Sequence, residues 1–257
     1  MNRKTIWNSF CTLLLREIDR FMRIWIQTLV PPIITISLYF LIFGALIGPR
    51  IGTMGGFDYI QFMVPGLVIM SIISNTYANV SSSFFGMKFM RLIEDLLVTP
   101  TPNWVILCGF VAGGVVRGLM VGVLVMVTAL FYTEVSIDNI GLTLAVGVLA
   151  SVIFALAGFL NGLFANSFDD ISVIPTFVLT PLIYLGGIFY SVDLLPDIWR
   201  NISYINPILY IVNAFRYGVL GISDIPVGTS IAALLVGVAL LFSFSLWMLN
   251  RGTGIRQ

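Results

Sequence analysis

Histidine is absent from this chain, and cysteine and lysine each occur only twice. Without histidine there is neither the usual metal ligand nor the usual general base near neutral pH. Cys11 lies in an amphipathic N-terminal segment and Cys108 near the start of an apolar run, which gives no disulfide framework and no paired metal motif. Lys4 and Lys88 are the two lysines, and neither closes a G-x-x-x-x-G-K-[ST] phosphate loop. A nucleophile elbow and an HExxH motif are missing too. Charge is equally scarce: 10% of residues are charged, against about 25% in a soluble domain. A net charge of +1 argues against nucleic acid as a partner.

What remains is apolar. Hydrophobic residues make up 58% of the chain and the mean hydropathy is +1.02. Six apolar runs, near Ile24–Ile47, Ile60–Phe85, Trp104–Tyr132, Ile140–Phe164, Ile171–Tyr190 and Ile231–Leu249, reach the roughly 20 residues that a bilayer requires. The expected fold class is therefore an all-α membrane protein with six transmembrane helices, in one domain spanning residues 1–257. Pro31 and Pro32 in the first run, and Pro175 and Pro181 in the fifth, predict kinks or broken turns. Gly114, Gly118 and Gly122 in the third run, with Gly158 and Gly162 in the fourth, form small faces suited to close packing within one bundle.

Residues 1–23 do not have the layout of a signal peptide, because Arg16, Glu17, Asp19, Arg20 and Arg23 occupy the place of its apolar region. Trp7, Phe10, Cys11, Leu14, Ile18 and Phe21 recur at helical spacing, which predicts a helix lying in the membrane surface. Nine of the 13 basic residues, including Arg251 and Arg256, fall on the side of the N-terminus and of segment 87–103, whereas Arg50, Arg200 and Arg216 fall on the other. The positive-inside rule puts both termini in the cytoplasm. Residues 191–229 then lie outside, and Ser191–Ile202 and Asn206–Leu220 read as two short re-entrant helices. Asn206 is the expected cap, Pro207 the first helical residue and Gly221 the stop.

The most informative stretch is Met87–Asn103, a charged interruption between two apolar runs. On a helical wheel Lys88, Arg91, Glu94 and Asp95 share one arc, and Leu92, Leu96 and Leu97 fall opposite. Arg91 is spaced to pair with Glu94 and Asp95, and Pro100 and Pro102 end the helix. Such a helix is a solvated turn, rests at headgroup level, or offers a handle to a soluble partner. Arg117 is a charge near the middle of a span, and either contacts groups inside the bundle, with Asn75 and Asn79 at similar depth, or faces a hydrated cavity or an anionic headgroup. Asp169 and Asp170 read as a solvated helix start.

Together these residues resemble the ABC-2 type transporter permeases. Glu94, Leu96, Leu97 and Pro100 match that family's Glu-x-Leu-Leu-x-x-Pro pattern before the third span, and Asn206, Pro207, Tyr210, Phe215 and Arg216 match its second signature before the last span. The resemblance implies a half-transporter in which two permeases, expected to be identical, work with two copies of a separate ATPase that binds ATP and Mg, while this chain binds no cofactor. It implies that Lys88, Arg91, Leu92, Glu94, Asp95, Leu96, Leu97 and Pro100 form an ATPase-coupling segment, that Asn206, Pro207, Tyr210, Phe215 and Arg216 form an external gate, and that Arg117 is a candidate for the substrate path. Export of a lipid, glycan, lipid-linked or drug-like amphiphile across a bacterial inner membrane is the implied activity. The competing readings are an intramembrane lipid-modifying enzyme, which would need converging titratable groups at one depth, and a non-transporting assembly protein.

Overall fold

The computed structural model describes residues 2–252 and 254, so Arg256 lies outside the described residues. The chain begins with α1 (Arg3–Arg23), a one-residue break at Ile24, and α2 (Trp25–Tyr39). Downstream of Pro31 and Pro32 the helix widens to π geometry over Phe40–Ile47 and ends in the short α3 (Gly48–Ile51). A two-residue hairpin, β1 (Thr53–Met54) against β2 (Phe57–Asp58), turns the chain into α4 (Tyr59–Phe89). After α5 (Leu92–Val98) come α6 (Asn103–Ala129) and α7 (Ile140–Phe164). Each of these long helices carries an apolar stretch of about bilayer length, as the sequence predicts.

The fifth apolar run departs from expectation. It is not one regular helix but α8 (Phe168–Ile174), a π segment at Pro175–Leu179, α9 (Thr180–Tyr184) and an irregular stretch to Tyr190. The two prolines explain this, since each lacks an N–H and crowds the carbonyl four residues back. Five helical stretches among the described residues are long and apolar enough to cross a membrane: Trp25–Ile51, Tyr59–Phe89, Asn103–Ala129, Ile140–Phe164 and Val227–Arg251. Asp170 and Ser167 form a capping box at the start of α8, so the acidic pair does serve a helix start.

Beyond Tyr190, a 3₁₀ turn at Val192–Leu194 precedes α10 (Asp197–Ile205), α11 (Pro207–Leu220) and α12 (Val227–Arg251). The expected helix over Ser191–Ile202 is corrected here, because Pro196 delays it to Asp197. The second helix forms as expected. The Asn206 carboxamide accepts from the Ile208 N–H, Pro207 is the first helical residue, and Gly221 closes the helix at φ 72°.

The glycines set the packing. A Cβ on Gly114 would lie 2.4 Å from Val80, one on Gly118 only 1.8 Å from the Thr76 hydroxyl, and one on Gly122 2.6 Å from Ile72. A Cβ on Gly158 or Gly162 would press on the α4 carbonyls of Tyr77 and Ser81 at 2.5 and 2.9 Å. Both small faces therefore lie against α4 of the same chain, making α4 the central helix, with Phe62, Met63, Leu67, Ile69 and Val80 fully buried.

Candidate functional site

The ends of α7 and α12 meet the Met87–Asn103 connection at one end of the bundle. The Asn103 Nδ2 donates to Asn250 Oδ1 at 2.8 Å, and the Lys88 Nζ donates to the carbonyls of Leu163 and Ala165 at 2.8 Å each. Lys88 thereby satisfies carbonyls at the end of α7 that the helix leaves without partners. At this end the connection is not the single amphipathic helix expected from the wheel. Met90 and Arg91 break it, and Arg91 takes the left-handed conformation at φ 59°, unique among the described non-glycine residues. Lys88 consequently belongs to α4 and faces α7, and Arg91 forms no ion pair with Glu94 or Asp95 among the described residues.

The break re-aims α5. Ile93 is buried, Leu96 and Leu97 pack on the near-end core, and Glu94 and Asp95 are left exposed. Beside them Phe89, Met90, Leu92 and Val98 are also exposed, Val98 to 87%. Pro100 is exposed at the start of the link to α6. The result is a mixed apolar and charged knuckle, exposed on its outer side and joined by short links to two long helices.

The sequence pattern does not reveal a polar network under α1. The buried face of α1 is Leu13, Glu17 and Phe21; of the expected stripe Phe21 is buried, Phe10, Cys11, Leu14 and Ile18 are half-buried, and Trp7 is 64% exposed. Leu13 lies on Gly109 and Glu17 on Gly113, so equal steps of four residues run α1 alongside the start of α6. Glu17 is 1% exposed. Its carboxylate lies 3.3 Å from Arg16 and 3.4 Å from Arg20, and accepts from the Ser83 hydroxyl at 2.6 Å. The only sequence signal for this burial is the spacing of four between Leu13, Glu17 and Phe21.

Arg20 continues the network inward. Its Nη2 donates to the Asn79 carbonyl at 3.0 Å and to Asn79 Oδ1 at 2.7 Å. Arg117 donates to the same Oδ1 at 3.2 Å and to Asn75 Oδ1 at 3.4 Å. The expected neighbours of Arg117 are thus its partners, but no carboxylate pairs with it. Arg117 also borders a cavity of about 300 Å³ between α2, α4 and α6.

The second motif lies at the opposite end. Asn206 Nδ2 donates to the Leu182 carbonyl at 2.6 Å, which ties the start of α11 to α9, and the Tyr210 hydroxyl donates to the Tyr204 carbonyl at 2.9 Å. Phe215 is buried near Gly147 of α7. Arg216 is 1% exposed, stacks on the Phe62 ring at 4.0 Å and donates to the Gly187 carbonyl. Its Nε and Nη1 have no partner. Arg216 therefore joins α4, the loop at Gly187 and α11 through one buried cation, while Asn206 ties α11 to α9. Among the described residues no group of three or more His, Cys, Asp or Glu side chains is placed to hold a metal.

Comparison with known proteins identifies the family. Residues 8–220 match the model of the ABC-2 type transporter family. The chain is 54% identical over 254 residues, covering 98% of each chain, to the inner membrane transport permease YadH of Escherichia coli K12. It is also 28% identical over 216 residues, covering 84% of this chain and 82% of the other, to Nodulation protein J of Sinorhizobium fredii NGR234. With a match over most of the chain and a relative sharing more than half of its residues, this protein belongs to the ABC-2 type transporter family.

Proposed function

We propose that this chain is the membrane half of an ATP-driven exporter in a bacterial inner membrane. Two copies of it act with two copies of a separate ABC ATPase, which binds ATP and Mg. Both termini and the Met87–Asn103 connection face the cytoplasm, and the outer segment at 191–229 closes the external side. The broken helix Phe168–Tyr184 makes a sixth crossing. Supporting this, Ala165 neighbours Lys88 at one end, while the Phe189 carbonyl accepts from Tyr59 near the other. The cargo is an amphiphile of the lipid, glycan-lipid or drug-like kind, and Arg117 borders its path. The motif at Asn206, Pro207, Tyr210, Phe215 and Arg216 sets the outer gate.

The observation that carries the reading is the break at Arg91. It leaves exposed apolar side chains and unpaired charges on a seven-residue helix, Leu92–Val98, held between α4 and α6. A short connection between two long helices transmits displacement, and α5 offers a partner both an apolar contact at Leu92 and charges at Arg91, Glu94 and Asp95. Charge reversal at a contact typically costs a few kcal/mol, or about a hundredfold in affinity. The test is co-purification of the ATPase with wild type and with a Glu94→Lys, Asp95→Lys variant, alongside transport. Weaker association with intact insertion supports the handle; undiminished association and transport would sink it.

A further inference from the structure

Arg20 and Arg117 share one neutral oxygen. Both guanidinium groups donate to Asn79 Oδ1, at 2.7 and 3.2 Å. A carboxamide oxygen accepts hydrogen bonds but does not neutralise two positive charges, which repel at this separation. Glu17 is the one carboxylate in the network, and it already serves both Arg16 and Arg20. The Arg117 Nε is buried without a partner, and so is the Asn79 Nδ2. At membrane depth such a surplus of positive charge is expensive unless a counter-charge arrives.

The cavity beside Arg117 has the shape and lining to admit one. It is bordered by Gln27, Thr35, Ser74 and Asn75, and opens beside the first span. Arg117 lines the cavity together with these polar residues and with Pro31, Pro32, Ile36 and Met70. On that span Ile34, Leu38, Leu41 and Ile42 are exposed, 43–56% of each, so its outer surface is apolar. On the other side of the Asn79 junction Arg16, Arg20 and Arg23 line a second cavity of about 700 Å³ against α4.

We propose that this junction binds the phosphate of an anionic lipid headgroup, with Arg117 as its direct ligand, Arg20 as the supporting charge, and the acyl chains along the first span. An arginine fork matches a phosphate in shape and charge. The proposal deepens the reading of Arg117 as part of the cargo path, but binding itself requires neither ATPase nor turnover.

The experiment titrates the purified full chain in detergent with dioleoyl phosphatidylglycerol and, separately, dioleoyl phosphatidylcholine, and counts bound lipid by native mass spectrometry. Phosphatidylglycerol should bind about tenfold more tightly, because choline offsets the phosphate charge of the other lipid. Asn79→Asp is the decisive variant. It places an internal carboxylate between the two arginines and removes the unpartnered Nδ2, so phosphatidylglycerol affinity should fall about tenfold while the melting temperature holds or rises. Arg117→Gln should give a similar loss of affinity. Displacement of the lipid by millimolar inorganic phosphate would identify the phosphate group alone as what is read; resistance to it would show that the acyl chains are needed as well. Equal binding of the two lipids, or full phosphatidylglycerol binding by Asn79→Asp, overturns the site. That failure leaves the ATPase association above untouched, and loss of ATPase association leaves lipid binding untouched.

Discussion

At the scale of single residues, Arg216 is the strongest test of the gate motif. Its charge is buried with one carbonyl contact, at Gly187, and one aromatic face, at Phe62. Replacing a buried charge by an apolar side chain of similar volume is often neutral for stability, whereas removing its specific contact is not neutral for what the contact positions. Arg216→Met should therefore keep the folding stability within about 1–2 kcal/mol of wild type, read as a nearly unchanged melting temperature, while sharply reducing transport. An equal fall in folded protein and in transport would assign Arg216 to packing alone. Glu17 predicts the opposite pattern. Glu17→Ala leaves Arg20 with no carboxylate and Ser83 with no acceptor, so stability should drop by about 3–5 kcal/mol, read as a lowered melting temperature in detergent. An unchanged melting temperature would mean that the buried carboxylate contributes nothing net.

At the scale of helices, what the sequence disclosed depended on the range of the interaction. The Asn206 cap, Pro207 and the Gly221 stop act within a few residues of one another, and the helix they bound is the one expected. Pro175 and Pro181 disrupt their own turns, so a broken fifth run was legible too, though not its π geometry. Glu17 was not legible, because the groups that make its burial tolerable are Ser83 and Gly113, far along the chain. Arg91 was not legible either: a wheel assumes continuous helix, and nothing in the side chain of arginine announces a left-handed backbone. The docking of α1 is testable at this scale. A side chain at Gly113 would collide with Glu17, whose Cβ lies 2.4 Å from the added carbon. Gly113→Val should lever α1 away and speed trypsin cleavage after Arg16, Arg20 and Arg23 by freeing the α1 backbone, while α4 and α7 remain protected. Unchanged cleavage would show that α1 is held elsewhere.

At the scale of the whole molecule, coupling to an ATPase depends on which end faces the cytoplasm. Geometry groups Lys88, Asn103, Ala165 and Asn250 at one end, and groups Asn139, Gly187 and Gly218 at the other, where the Asn139 N–H donates to the Gly218 carbonyl. Grouping alone does not orient the bundle. The proposed orientation rests on charge: basic residues concentrate at the first end, in α1, at Lys88 and Arg91 and at Arg251, and moving them across a membrane is unfavourable. Cysteine scanning reads this directly, since Cys11 and Cys108 can be replaced to give a thiol-free background. Val98→Cys marks the near end and Leu194→Cys the far end, at positions 87% and 69% exposed. In intact cells stripped of the outer membrane, a membrane-impermeant maleimide should label Leu194→Cys and spare Val98→Cys. In inverted vesicles the pattern should exchange. The reverse result would place α5 outside the cell, beyond the reach of any ATP-hydrolysing partner, and the coupling reading would fall with the topology.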